Sequence, residues 1–158
     1  MNISKNGIDL IKHFESFQSD AYICPGGVIT IGYGTTRYDG GQPVKMGETI
    51  TEERATELLM EDLGRFEFYI NKNVRVILRQ CQFDSLVSIC YNIGVGAFLK
   101  STLYKKLNWK ADDPRIPKYF MMWRFANKVE LPGLVRRRRS ESHLYTTGEL
   151  KFYFDEQS

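Results

Sequence analysis

A chain of 158 residues, 42% hydrophobic and 26% charged, is long enough to bury one substantial core and too apolar for intrinsic disorder. No apolar run reaches the roughly 18 residues of a membrane span. The start "MNISKNGIDLIKHF" has no basic stretch followed by an apolar core, so the expectation is synthesis in the cytoplasm without a signal peptide. The net charge of +3 is modest, but Arg136, Arg137, Arg138 and Arg139 form a basic run that reads either as a solvated helix face or as a contact for an anionic partner.

In chain order, residues 3 to 14 set Ile8, Leu10, Ile11 and Phe14 near helical spacing, with Ser4 as a cap, which predicts an amphipathic helix ending near Glu15. From Tyr22 to Thr36, β-formers alternate with "PGG" and "GYG", the pattern of short strands around tight turns. A glycine-rich loop, "YDGGQPVKMG", leads to Thr51, a predicted N-cap. The helix over 51–72 then carries a stripe of Ala55, Leu58, Leu59, Leu63, Phe66 and Ile70. "QCQFDSLVSICYNIG" predicts a further helix stopped by Gly94. Others are expected at 98–107, at 114–124 with Asp113 and Pro114 as cap and first turn, and at 132–147 before Gly148. Residues 149–158 read as a tail, loosest at "FDEQS". The class is α+β, mostly α.

Several motifs fail on inspection. Three cysteines, Cys24, Cys81 and Cys90, leave an odd thiol, and 81 and 90 on one helix face opposite ways, so reduced thiols are expected. There is no CxxC or HExxH, and the two histidines, His13 and His143, are distant in sequence; neither a metal nor an organic cofactor is expected. "GVGAFLKST" is not a phosphate loop, because Leu99 stands where glycine must precede the lysine.

Glu15 is the acid that stands out. The negative end of a helix and the flanking rings of Phe14 and Phe17 both favour the protonated form of a carboxyl, which is what a general acid requires. Cys24 follows after eight residues and Thr30 after five more, ahead of "IGYG". This E-x8-C-x5-T pattern resembles the phage-type lysozymes of glycoside hydrolase family 24, whose second position is Asp or Cys. "ITEERATELLMEDLGRFE", "QCQFDSLVSICYNIGVGAF" and "LPGLVRRRR" resemble the later blocks of that family in the same order, so the resemblance covers about residues 3 to 145.

The resemblance implies one lysozyme-like catalytic domain over 1–158: a small N-terminal lobe with a short antiparallel sheet, a connecting helix and a larger helical lobe, with substrate between them. It implies hydrolysis of the β-1,4 bond between N-acetylmuramic acid and N-acetylglucosamine in peptidoglycan, with inversion, in host-cell lysis that depends on a holin for access to the wall. Glu15 would be the acid, and Cys24 and Thr30 would position water. A thiol is a weaker base than a carboxylate, so Cys24 is left as base or water-holder, nucleophile, or spacer. Asp20 does not match the family spacing and is expected to be solvated. Approximate alignment suggests Thr36, Tyr91 and Thr102 for binding the sugar chain. Thr35 stands where the family usually has His, and Gly32 and Gly34 are expected to let the strand approach substrate. The protein is expected to be a monomer without a nucleic-acid partner. Rival readings are a lytic transglycosylase on the same bond and a wall-binding module without activity.

Overall fold

The computed structural model describes residues 1–154; the expected tail beyond Phe154 lies outside the described residues. The order of elements is α1 (Lys5–Glu15), β1 (Gln18–Ile23), β2 (Ile29–Gly32), α2 (Glu52–Asn73), α3 (Gln80–Ile93), α4 (Val95–Lys100), α5 (Thr102–Trp109), α6 (Ile116–Met121), β3 (Phe125–Ala126), β4 (Val129–Glu130) and α7 (Pro132–Thr147). A single 3-10 turn, Asp39–Gly41, interrupts the loop before α2. The chain divides into two compact units, Ile11–Arg65 and a discontinuous one made of Met1–Leu10 with Phe66 onward.

In the Ile11–Arg65 unit, β1 and β2 pair antiparallel, Tyr22 opposite Thr30 and Ile23 opposite Ile29, with an irregularity between Gln18 and Tyr22. A lone two-stranded hairpin is marginal in water. Here it is fixed along its other edge, where Ala21 N–H donates to the Glu48 carbonyl (3.0 Å) and Ile50 N–H to the Ser19 carbonyl (2.8 Å). Beneath it, Ala21, Ile31 and Val44 are buried, with Ile29, Tyr38 and Ile50 packed around them. Thr51 does cap α2, its Oγ1 accepting the Arg54 N–H at 3.2 Å.

In the other unit, every residue from Gln82 to Cys90 on α3 is buried, so this helix is covered on all sides rather than amphipathic. It packs against α7, which also packs on α6. Gly94 ends α3 with φ of 87°, and Gly148 ends α7 in the left-handed region, φ 81°, as the sequence pattern predicts. Cys24, Cys81 and Cys90 are free thiols.

Four sequence expectations are corrected. The helix expected at 98–107 is two helices: Ser101 breaks the run by accepting the Tyr104 N–H (3.0 Å) and donating its own hydroxyl to the Phe98 carbonyl (2.6 Å), which restarts the chain as α5. The helix expected at 114–124 is only Ile116–Met121, because Asp113 does not cap it. Its carboxylate is taken by Arg115, accepting from the backbone N–H at 2.9 Å and from Nη2 at 2.7 Å. Ser4 gives its hydroxyl to Asp84 rather than to the first turn of α1. The hairpin β3–β4 was not expected; its turn residues Asn127 and Lys128 adopt φ of 50° and 66° without a glycine to signal it.

The arginine run is neither a uniformly solvated face nor a free basic patch. Arg137 and Arg138 are buried, 4% and 0% exposed, around a fully buried Glu141. Glu141 Oε1 accepts from Arg137 Nε (3.1 Å), Arg138 Nη2 (2.9 Å) and the Ser88 hydroxyl (2.7 Å), and Oε2 lies 2.8 Å from Arg138 Nε. Arg139 is exposed but covers the Tyr153 ring at 4.3 Å. The anionic-envelope contact expected of Arg136 to Arg139 is therefore withdrawn for the two central arginines, whose charge is used inside the fold.

Candidate active site

Glu15 is the last residue of α1 and is half-buried. The helix stops there because Ser16 takes φ of 59°, a left-handed conformation uncommon for a residue with a Cβ, with its N–H bonded to the Lys12 carbonyl at 3.1 Å. Two anchors hold this strained exit. Behind it, the Phe17 ring lies 5.6 Å from Tyr33, whose hydroxyl donates to Glu52 Oε1 at 2.8 Å. Ahead of it, Lys12 Nζ lies 3.3 Å from the same Glu52 oxygen and 5.2 Å from the Tyr33 ring centroid. The Tyr33 hydroxyl, then Lys12, hold the Glu52 carboxyl below its ordinary range. Burial first, then Glu52, pushes the Tyr33 phenol up.

Cys24 begins the "CPGGV" connection between β1 and β2, its N–H bonded to the Val28 carbonyl (2.9 Å) and its carbonyl accepting the Gly27 N–H (2.8 Å). The thiol is partly exposed. The Val28 backbone, then the Thr30 hydroxyl, then the Gly26 backbone lower its pKa by favouring the thiolate. Thr30 is buried on β2. Its hydroxyl has one proton and two acceptors in reach, the Val28 carbonyl at 3.0 Å and the sulfur, so it can turn to the sulfur when the thiol ionises. Cys24 and Thr30 are thus brought together as the spacing predicts. Asp20 is exposed and accepts only a neighbouring hydroxyl, that of Ser19 at 3.1 Å, among its side-chain bonds.

Gly32 has a different role from the one expected. A Cβ there would lie 2.9 Å from the Ala55 Cβ on α2, and φ is 64°, so this glycine lets β2 close against a helix rather than against substrate. The following turn is clamped by reciprocal bonds between Ile31 and Thr35, both 2.9 Å. Gly32→Ala is expected to destabilise the fold by about 2–4 kcal/mol, combining left-handed strain with overpacking, as a lowered urea midpoint will report. An unchanged midpoint would contradict this.

The residues suggested for sugar binding are dispersed. Thr36 is exposed at the rim of a cavity of about 400 Å³ that is also lined by Gly34, Tyr38, Leu58, Glu61 and Asp62, all within the Ile11–Arg65 unit. Burial pushes the Asp62 carboxyl up against the pull of Arg65. Tyr91, on α3, is half-buried with its ring 5.2 Å from Phe66, and Thr102 opens α5; both belong to the other unit. The Lys12–Glu52–Tyr33 brace was missed by sequence reading, which took Tyr33 only as the middle of a turn. Its sole sequence signal is an aromatic residue where a tight turn needs none. Among the described residues, no group of three His, Cys, Asp or Glu side chains could hold a metal ion.

A mostly helical chain with a small antiparallel hairpin is the architecture of the lysozyme class of glycoside hydrolases. Residues 12–141 match the phage lysozyme family, and the chain belongs to it. An endolysin of Acyrthosiphon pisum secondary endosymbiont phage 1 is 38% identical over 149 residues, 92% of this chain and 98% of that one. The endolysin of Salmonella phage P22 is 42% identical over 142 residues, 90% and 97% of the two chains. The solved endolysin of Escherichia coli O157:H7 phage FAHEc1 superposes with a TM-score of 0.88 at 38% identity, covering 96% of this chain and 97% of that one. The chain is therefore a peptidoglycan-hydrolysing muramidase, and neither the transglycosylase nor the inactive binding-module reading is favoured.

Proposed function

We propose that residues 1–158 act as one catalytic domain in which Glu15 protonates the oxygen of the β-1,4 bond between N-acetylmuramic acid and N-acetylglucosamine while Cys24 and Thr30 hold the attacking water. The observation that carries this reading is the thiol–hydroxyl pair on the hairpin that follows the Glu15 helix end, with the sulfur biased toward its thiolate. Glu15 gives its proton to the leaving sugar, water attacks the anomeric carbon, and the water proton passes to sulfur, with Thr30 orienting the water. Both protonation states are restored from solvent. Thr36, Tyr91 and Thr102 are proposed to bind neighbouring sugars.

A lowered thiol pKa favours a covalent route through sulfur equally, and the two routes differ in their product. Inversion releases the α-anomer first, whereas a glycosyl-sulfur intermediate releases the β-anomer, which proton NMR of fresh digests distinguishes. For the water-holding role, Cys24→Ser is expected to lower sacculus lysis by about a hundredfold and Cys24→Asp to preserve it. Indifference to both substitutions would reduce Cys24 to packing.

We also propose synthesis in the host cytoplasm and action at the wall after a separate pore-forming protein opens the membrane, as a monomer. The endolysin relatives support a lytic role. Expressed alone in a host, the protein should leave cells intact until the membrane is permeabilised; prompt unaided lysis would reject the dependence.

A further inference from the structure

The basic surface of this protein lies away from its arginine run. Residues 71–79 carry Lys72, Arg75 and Arg79 with no acid, and residues 104–112 carry Lys105, Lys106 and Lys110 with one, Asp112. Three bonds in register lay the first segment along α5. The Tyr104 hydroxyl donates to the Asn73 carbonyl (3.1 Å), Arg75 N–H donates to Asn108 Oδ1 (2.7 Å), and Arg79 Nη2 lies 3.4 Å from Asp112 Oδ1. Asp112 is thereby occupied, as its Oδ1 also accepts from Gln82 Nε2 at 2.8 Å.

In sequence, Ile77 falls between Arg75 and Arg79, whose partners Asn108 and Asp112 bracket Trp109. Ile77 and Trp109 are the two most exposed large apolar side chains of the described residues, at 97% and 77%. Lys106 Nζ sits 5.8 Å from the Trp109 ring centroid, one turn back on the same helix face. An aliphatic and an indole side chain projecting from a basic surface match the interface of an anionic bilayer, with the rings and methyls at the acyl boundary and the cations among phosphates. Ile77 would gain nothing from a soluble polyanion.

We propose that residues 73–79 together with residues 105–110 form a docking surface for an anionic phospholipid bilayer, with Ile77 and Trp109 entering its interface. The surface is independent of the catalytic assignment and gives the protein a means of staying at the membrane face bordering the wall.

Co-sedimentation with vesicles of phosphatidylethanolamine and phosphatidylglycerol tests this, against vesicles of phosphatidylcholine alone and with polyglutamate as competitor. Wild type is expected to bind the anionic vesicles at low salt and to ignore the zwitterionic ones. Ile77→Ser with Trp109→Ser should weaken binding at least about tenfold, and Lys105→Gln or Lys110→Gln about fivefold each, with thermal midpoints unchanged because all four side chains are exposed. Failure to bind anionic vesicles overturns the proposal. So does undiminished binding by the double serine variant, and if polyglutamate also displaces that variant the surface is a polyanion site instead.

Discussion

Glu15→Gln is expected to lower lysis of purified sacculi by about a hundredfold to ten-thousandfold while sacculus binding is retained. The amide keeps the volume and polarity of the side chain but has no proton to give at neutral pH, so the loss isolates the acid step. Glu15 is half-buried at a helix end shaped by Ser16 and by the Phe17, Tyr33, Glu52 and Lys12 contacts, and a thermal midpoint measured beside activity separates lost chemistry from lost folding. That fixed exit also makes Glu15→Asp a poor replacement, since the backbone cannot advance to recover a missing methylene. Asp20→Asn, on an exposed acid only five residues away, should leave activity unchanged. A folded Glu15→Gln protein that still lyses sacculi at wild-type rate would remove Glu15 from the mechanism.

The largest stability effect is expected at Glu141. Glu141→Gln removes the carboxylate that accepts from two guanidiniums whose side chains are 5% and 0% exposed. Breaking a buried pair from one side costs about 3–5 kcal/mol, because the remaining charge stays desolvated. For a chain of this size that corresponds to a fall of roughly 10–15 °C in thermal midpoint. Replacing Arg138 and Glu141 together by apolar residues of similar volume should cost less than the sum of the single changes, since only the Arg137 guanidinium then loses the Glu141 carboxylate. Arg139→Gln, on the exposed neighbour, is expected to change stability by about 0.5 kcal/mol at most. Urea unfolding of these variants and of the two single apolar replacements measures this directly. A loss below about 1 kcal/mol in Glu141→Gln would show that water or rearrangement satisfies the arginines.

The same two sites mark what could be read from sequence and what could not. Glu15, Cys24 and Thr30 could be singled out as candidates because a fixed spacing across a helix end and a hairpin survives as a linear pattern. The helices α2, α3 and α7 were legible because stripes or caps span several turns. The brace of Lys12, Glu52 and Tyr33 was not, since it joins three positions spread over forty residues and each looks ordinary alone. The arginine run misled for a related reason. Glu141 at three and four residues from Arg138 and Arg137 is the spacing of any surface ion pair, and only Ser88 arriving from α3 reveals that the pair is inside. Ser101 split one predicted helix into two by a side-chain competition with the backbone that periodicity does not register.

The discontinuous unit also orders events in time as the chain leaves the ribosome. Residues 1 to 10 emerge before their partners: the Met1 nitrogen bonds Asn71 Oδ1 at 2.8 Å, Ile3 N–H bonds Glu67 Oε1 at 2.6 Å, and Ser4 N–H bonds Asp84 Oδ1 at 2.8 Å. Ile11–Arg65, in contrast, is contiguous in sequence. Residues 1 to 10 must therefore wait for Asp84 on α3 before these bonds can form. Completion of that unit waits longer still, for α7, which packs on α3.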